Sequence, residues 1–267
     1  MWFFLAFLGY FLLAIVFILD KLILTKSVAR PIVYTFYSTI FMFGALLAWP
    51  FGVELLWGSD WLWALISGLT FGFGLLAMFI AVKGGEASHI SPFIGAAVTI
   101  FTFALSYLFL FEELAGSQRS GLIVLVVASF LLSFEKSRKH TGWHRGFLWG
   151  ILAGFLFAVS HVTAKYIYEV YPFLTGFVWT RATTGLVGLI LLAASPVRNT
   201  FKKIKDKSKI ATKRHTIFLV VFDKVFGIVG VVLIQYAVSI GSVTLVNGLG
   251  GIQYVLMFVL IYALTKL

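Results

Sequence analysis

The chain has 267 residues, of which 61% are hydrophobic, with a net charge of +11 and no cysteine. No polar stretch is long enough to bury a core of its own, the longest running from Ser195 to Thr216, so a separate soluble domain is excluded. The lack of cysteine excludes disulfides, thiolate metal sites and thiol catalysis.

Apolar runs near twenty residues recur from end to end, the length a helix needs to cross about 30 Å of hydrocarbon. A barrel would need short alternating segments, and these runs are continuous. The fold class predicted is an all-α polytopic membrane protein. Nine spans are predicted: 2–19, 32–49, 61–82, 88–111, 119–134, 146–167, 172–194, 217–240 and 242–264. The first starts at Trp2 with no basic segment before it and reads as a mature helix rather than a cleaved signal. Pro31, Pro50, Pro172 and Pro196 stand at span ends, where a proline removes no helix hydrogen bond.

Sixteen basic residues fall in the loops after spans one, three, five and seven, eight of them between Arg198 and Arg214. The alternate loops hold Arg119 and, at a helix end, Lys165. This bias puts residues 195–216 in the cytoplasm and the N-terminus outside, in the inner (cell) membrane of the host. The 195–216 run reads first as a solvated topology anchor, and second as a site for anionic lipid or a nucleotide.

The two halves of the sequence match. At an offset of 144, Phe11, Leu12, Ala14, Lys21 and Ile23 fall on Phe155, Leu156, Ala158, Lys165 and Ile167. At an offset of 156, Gly74, Ala81, Val82, Gly85 and Gly95 fall on Gly230, Ala237, Val238, Gly241 and Gly251. A five-span unit is odd, so its second copy is inverted, an architecture typical of secondary transporters. The expected division is a first repeat over 1–134, a basic linker over 135–145 and a second repeat over 146–267. Phe111 precedes Glu112-Glu113 and a fifth span, whereas its counterpart Leu267 ends the sequence; the expectation is truncation before a tenth helix, with a variant naturally lacking that helix as the alternative.

Ionisable groups inside a membrane are costly and therefore informative. Arg181 lies about 13 Å into the seventh span at helical rise. His161, Gln235 and Asn247 come from three other spans at a similar depth. These four are the candidate substrate-binding residues; for each, the plain alternative is a satisfied interhelical hydrogen bond. Asp223 in the eighth span and His161 are candidates for ion or proton coupling, with an interfacial aspartate and a buried neutral histidine as the alternatives. Glu112 and Glu113 read as structural, closing a turn. The glycines of Phe71-Gly-Phe-Gly74 and Gly248-x-Gly-Gly251 suit close helix packing and lack a phosphate loop's setting. No catalytic set, metal cluster or cofactor motif stands out, so an enzyme is not expected.

The run Gly-Gly-Glu-Ala-Ser-His-Ile-Ser-Pro from Gly84, then Leu110-Phe111-Glu112-Glu113, then Gln118-x-x-Gly121, resembles the drug/metabolite transporter superfamily, and within it the two-repeat EamA-type transporters. Gly241-Ser-Val-Thr-Leu-Val-Asn247 resembles the same small-residue turn, and Arg181 and the two lysines Lys21 and Lys165 match positions often basic in that family. The chain departs from it in lacking the arginine near Thr39. The resemblance implies ten helices in two inverted five-helix bundles around a cavity, and export of small metabolites, amino acids or drugs by alternating access. The expected partners are a small-molecule substrate and membrane lipids, with a homodimer left open, and not nucleic acid. The rival readings are a membrane enzyme or lipid carrier acting on anionic headgroups, and a membrane scaffold without transport.

Overall fold

A computed structural model describes residues 1–24, 30–84, 87–133, 145–204 and 214–266. The helices in chain order are α1 (Trp2–Leu24), α2 (Pro31–Ile40), α3 (Asp60–Gly84), α4 (Ala87–Phe109), α5 (Gly116–Ser133), α6 (Arg145–Val170), α7 (Phe173–Leu192), α8 (Ser195–Ile204), α9 (Arg214–Ile240), α10 (Val243–Gly248) and α11 (Gly250–Lys266). A 3₁₀ segment, Phe41–Phe51, continues α2.

Among the described residues six helices are long and apolar enough to cross a membrane, fewer than the nine spans expected. Shorter apolar stretches, Trp2–Val16, Val225–Ile240 and Val243–Met257, lie in α1, α9 and α10 to α11. The protein is an all-α polytopic membrane protein.

Three local features differ from the sequence reading. The second span tightens to 3₁₀ geometry after Ile40 and ends at Gly52, whose φ of 90° is the left-handed conformation open to glycine. The Ser195–Ile204 segment, expected as loop, is a helix whose Val197 is buried against Phe36, Val187 and Leu191. The ninth span is broken at Leu249, between Gly248 and Gly250, where two glycines lower helix propensity together. Ser242 starts α10 by accepting the Leu245 N–H at 2.9 Å, and Pro172 precedes α7 in an extended conformation.

Small residues let the helix backbones approach. A Cβ on Gly68 of α3 would collide with Thr183 and with the Thr184 backbone of α7. A Cβ on Gly154 of α6 would lie 2.6 Å from Ala97 Cβ of α4, and one on Gly9 of α1 would lie 2.9 Å from the Gly230 carbonyl of α9. Hydroxyls stitch the same seams. Ser67 Oγ donates to the Ser160 carbonyl at 3.0 Å, and Thr183 Oγ1 to the Ala64 carbonyl at 2.8 Å. As a result α6 is packed against α3 and α4, and α1 against α9 and α11.

Candidate functional site

The most buried span is α7, whose inward face is built from Thr175, Gly176, Thr180, Arg181, Thr184 and Gly188. This small and hydroxylated face lets α7 sit deep, and it carries Arg181 inward with it. Arg181 is 2% exposed. Its guanidinium carbon lies 4.6 Å from the centre of the Phe71 ring of α3 and 5.7 Å from that of Phe177. Among the described residues its Nε and Nη1, both buried, have no hydrogen-bond partner.

His161 of α6 reaches the same place. Its ring stacks near-parallel on Phe157, one turn earlier, and tilts against Phe71, with both centroids at 6.4 Å. It is within electrostatic reach of Arg181, and its enclosed Nδ1 has no partner among the described residues. Gln235 of α9 joins through Tyr168, whose hydroxyl donates to Gln235 Oε1 at 2.9 Å and stands beside the Arg181 guanidinium. The structure thus gathers His161, Arg181 and Gln235 around Phe71 and Tyr168.

Asn247 stands apart from these three. Its amide donates to the Val243 carbonyl of its own helix at 2.8 Å, and its backbone carbonyl faces Thr99 of α4 at 3.5 Å. Asp223 lies on α9, and its side chain is outside the described residues. Of the repeat match, the side chain of Lys21 and the whole of Gly85 lie outside the described residues.

Tyr168 and Phe71 were missed in the sequence. Tyr168 follows His161 by seven residues, two helical turns, so it shares a face with it; that spacing was the available signal. Phe71 sat inside a glycine pattern that reads as packing alone.

Nearer the α6–α7 turn, a cleft of about 320 Å³ is lined by Leu110, Glu112, Lys165, Glu169, Gly241 and Ser242. Lys165 Nζ is held by Glu169 at 3.4 Å and by the Ser239 carbonyl at 3.2 Å. Glu112, read as a turn residue, accepts a hydrogen bond from Thr244 at 2.6 Å, and Thr244 meets Ser106 at 2.7 Å. Among the described residues no group of three His, Asp or Glu could hold a metal ion.

The sequence pattern of the EamA-like transporter family matches residues 1–134. The chain belongs to the EamA-like transporter family. The resemblance to the drug/metabolite transporter superfamily is sustained, and the protein is a multi-pass membrane transporter of small molecules rather than a member of an enzyme family. No curated protein matches the chain. Thirteen chains of solved structures are similar in fold. One of these, a crystal structure, superposes with a TM-score of 0.67 at 15% identity, covering 98% of this chain and 87% of that one. At that identity the likeness concerns the fold alone.

Proposed function

We propose that the protein is a secondary transporter that exports a small organic molecule across the inner membrane by alternating access. In this reading 1–134 and 146–267 are inverted repeats, joined by a basic linker over 135–145, and 195–216 is cytoplasmic. The substrate path runs past Arg181, His161 and Gln235, with Asn247 at its α4 side. His161 is the group assigned to proton coupling, with Asp223 as the second candidate.

One observation carries this proposal: an arginine buried among transmembrane helices keeps two nitrogens free of protein partners. A purely structural arginine at that depth is expected to spend its donors on carbonyls or a carboxylate, because an unmade hydrogen bond there costs about 1–3 kcal/mol or more. A binding residue keeps donors for its ligand.

The contact pattern supports the inverted repeat. Phe157 is the counterpart of Leu13 at an offset of 144, and Gly230 that of Gly74 at an offset of 156. A Cβ on Gly74 would lie 3.0 Å from Phe157, and one on Gly230 would lie 3.2 Å from Leu13. The same contact is made twice, each time by the third predicted span of one half (α3, α9) against the first of the other (α6, α1).

Uptake into proteoliposomes tests the reading. Purified protein is offered a mixture of small metabolites with and without an imposed pH gradient, and the lumen is analysed by mass spectrometry. Gradient-dependent accumulation of a small molecule, absent from protein-free vesicles, is expected. Lumens indistinguishable from protein-free vesicles under both conditions would reject secondary transport.

A further inference from the structure

The guanidinium of Arg181 stays protonated under any physiological condition. Among the described residues no carboxylate reaches it, and the ion pair nearest in sequence, Lys165 with Glu169, is complete in itself. The Phe71 and Phe177 rings offset part of the burial cost through their faces, but they carry no net charge. With His161 neutral, the site therefore holds one unmatched positive charge beside a wall of aromatic rings: Phe71, Phe157 and Phe177.

From this imbalance we propose a substrate class: a small organic acid with a single negative charge and an apolar or aromatic body. Its carboxylate takes the free donors of Arg181, and its body lies against Phe71 and Phe177. The proposal rests on the transporter reading above, because it takes Arg181 to line the substrate path.

Two alternatives fit the site less well. A zwitterionic amino acid carries no net charge, so its ammonium group would leave the site as positive as before, and among the described residues no carboxylate there offsets it. A phosphate monoester would bring a second negative charge. Lys165, one turn beyond His161, is committed to Glu169 and to the Ser239 carbonyl and does not supply a second cation.

Four probes sharing one phenylpropyl body, and a fifth with a phenyl group alone, separate these cases. 3-Phenylpropanoate is the acid, 3-phenylpropanamide the neutral isostere, 3-phenylpropylamine the cation and phenylalanine the zwitterion; phenyl phosphate adds the dianion. Each is titrated against the detergent-purified full chain, with the thermal unfolding midpoint as readout. The acid should raise the midpoint, and the other four should act only at concentrations about tenfold higher or more, the scale of losing one charge-assisted hydrogen bond. Arg181→Gln should remove the response to the acid. If that variant does not fold, the ranking on the wild-type protein still decides.

An equal response to acid and amide, a preference for the amine, phenylalanine or phenyl phosphate, or no response to the acid would overturn the assignment. Proteoliposome uptake of labelled phenylpropanoate separates this outcome from the transporter reading. Selective binding without uptake leaves the acid site standing and rejects transport by it. Arg181-dependent uptake of another class of compound leaves transport standing and rejects the acid.

Discussion

The Tyr168 hydroxyl donates to Gln235 Oε1 at 2.9 Å, tying α6 to α9 next to the Arg181 guanidinium. Both side chains are buried, Tyr168 at 6% and Gln235 at 4% exposure. Removing the hydroxyl alone strands the Gln235 carbonyl. Tyr168→Phe should therefore cost about 1–3 kcal/mol of stability. Adding Gln235→Leu removes the stranded group, so the double variant should be no less stable than Tyr168→Phe alone. Thermal unfolding in detergent reads both, and strictly additive losses would show that the two side chains do not interact.

Packing between α3 and α7 gives a second test. Gly68 has no room for a methyl group against Thr183 and the Thr184 backbone, whereas Gly121 of α5 has nothing within 4 Å of a built Cβ. Gly68→Ala should cost about 1–3 kcal/mol, the usual penalty of overpacking. Gly121→Ala should be neutral or slightly stabilising through helix propensity. The order of the two melting points checks this, and equal melting points would mean that α3 and α7 do not touch as closely as described.

That the chain is all-helical and crosses the membrane several times was legible in the sequence because hydrocarbon imposes a length on every span; Pro31 and Pro172 stand where α2 and α7 begin. The gathering of His161, Arg181 and Gln235 was legible only as a shared depth. Depth counts residues along a helix and says nothing of azimuth, so the Asn247 amide, at a similar depth, turns back to the Val243 carbonyl of its own helix instead. Tyr168 and Phe71 escaped because an aromatic residue in an apolar helix is indistinguishable from filler until its neighbours are known. The break at Leu249 escaped for a similar reason. Glycines permit both close packing and interruption, and tertiary context decides between them.

At the end of the bundle where α6 meets α7, Asp60 accepts hydrogen bonds from Tyr171 at 2.7 Å and from Tyr166 at 3.2 Å. The bond to Asp60 is the first cause that pushes the Tyr171 phenol above its ordinary ionisation range. A group whose folded value is raised contributes stability in full below its unfolded value, and loses that contribution as pH rises through the folded one. The Tyr171 contribution should thus be intact at neutral pH and disappear on the alkaline side of about 10. Asp60→Asn should move the ultraviolet-monitored ionisation of Tyr171 to lower pH. An unmoved titration would mean that the carboxylate does not hold this phenol.

Orientation can be read from single cysteines, since the natural chain has none. The bias of basic residues predicts that Ser59→Cys reacts with an impermeant thiol reagent in intact cells and that Ser208→Cys does not. The reverse pattern would overturn the assigned orientation while leaving the fold untouched.

Inversion of the repeat has its own test, independent of which side is which. Gly74 lies ten residues before the end of α3, and Gly230 lies ten residues before the end of α9. Each is thus about 15 Å of helical rise from its helix end. If the halves are inverted, those two ends emerge on opposite faces of the membrane. Lys83 and Ser239, which differ by the same offset of 156, are then displayed to opposite compartments. Lys83 is exposed and Ser239 half-buried, so both positions tolerate a probe. In oriented vesicles, Lys83→Cys and Ser239→Cys should be quenched by an impermeant reagent from opposite sides. Quenching of both from one side would mean that α3 and α9 run parallel. The recurrence of the Gly74–Phe157 contact as Gly230–Leu13 would then be coincidence, and the two-bundle rocking motion would lose its structural basis.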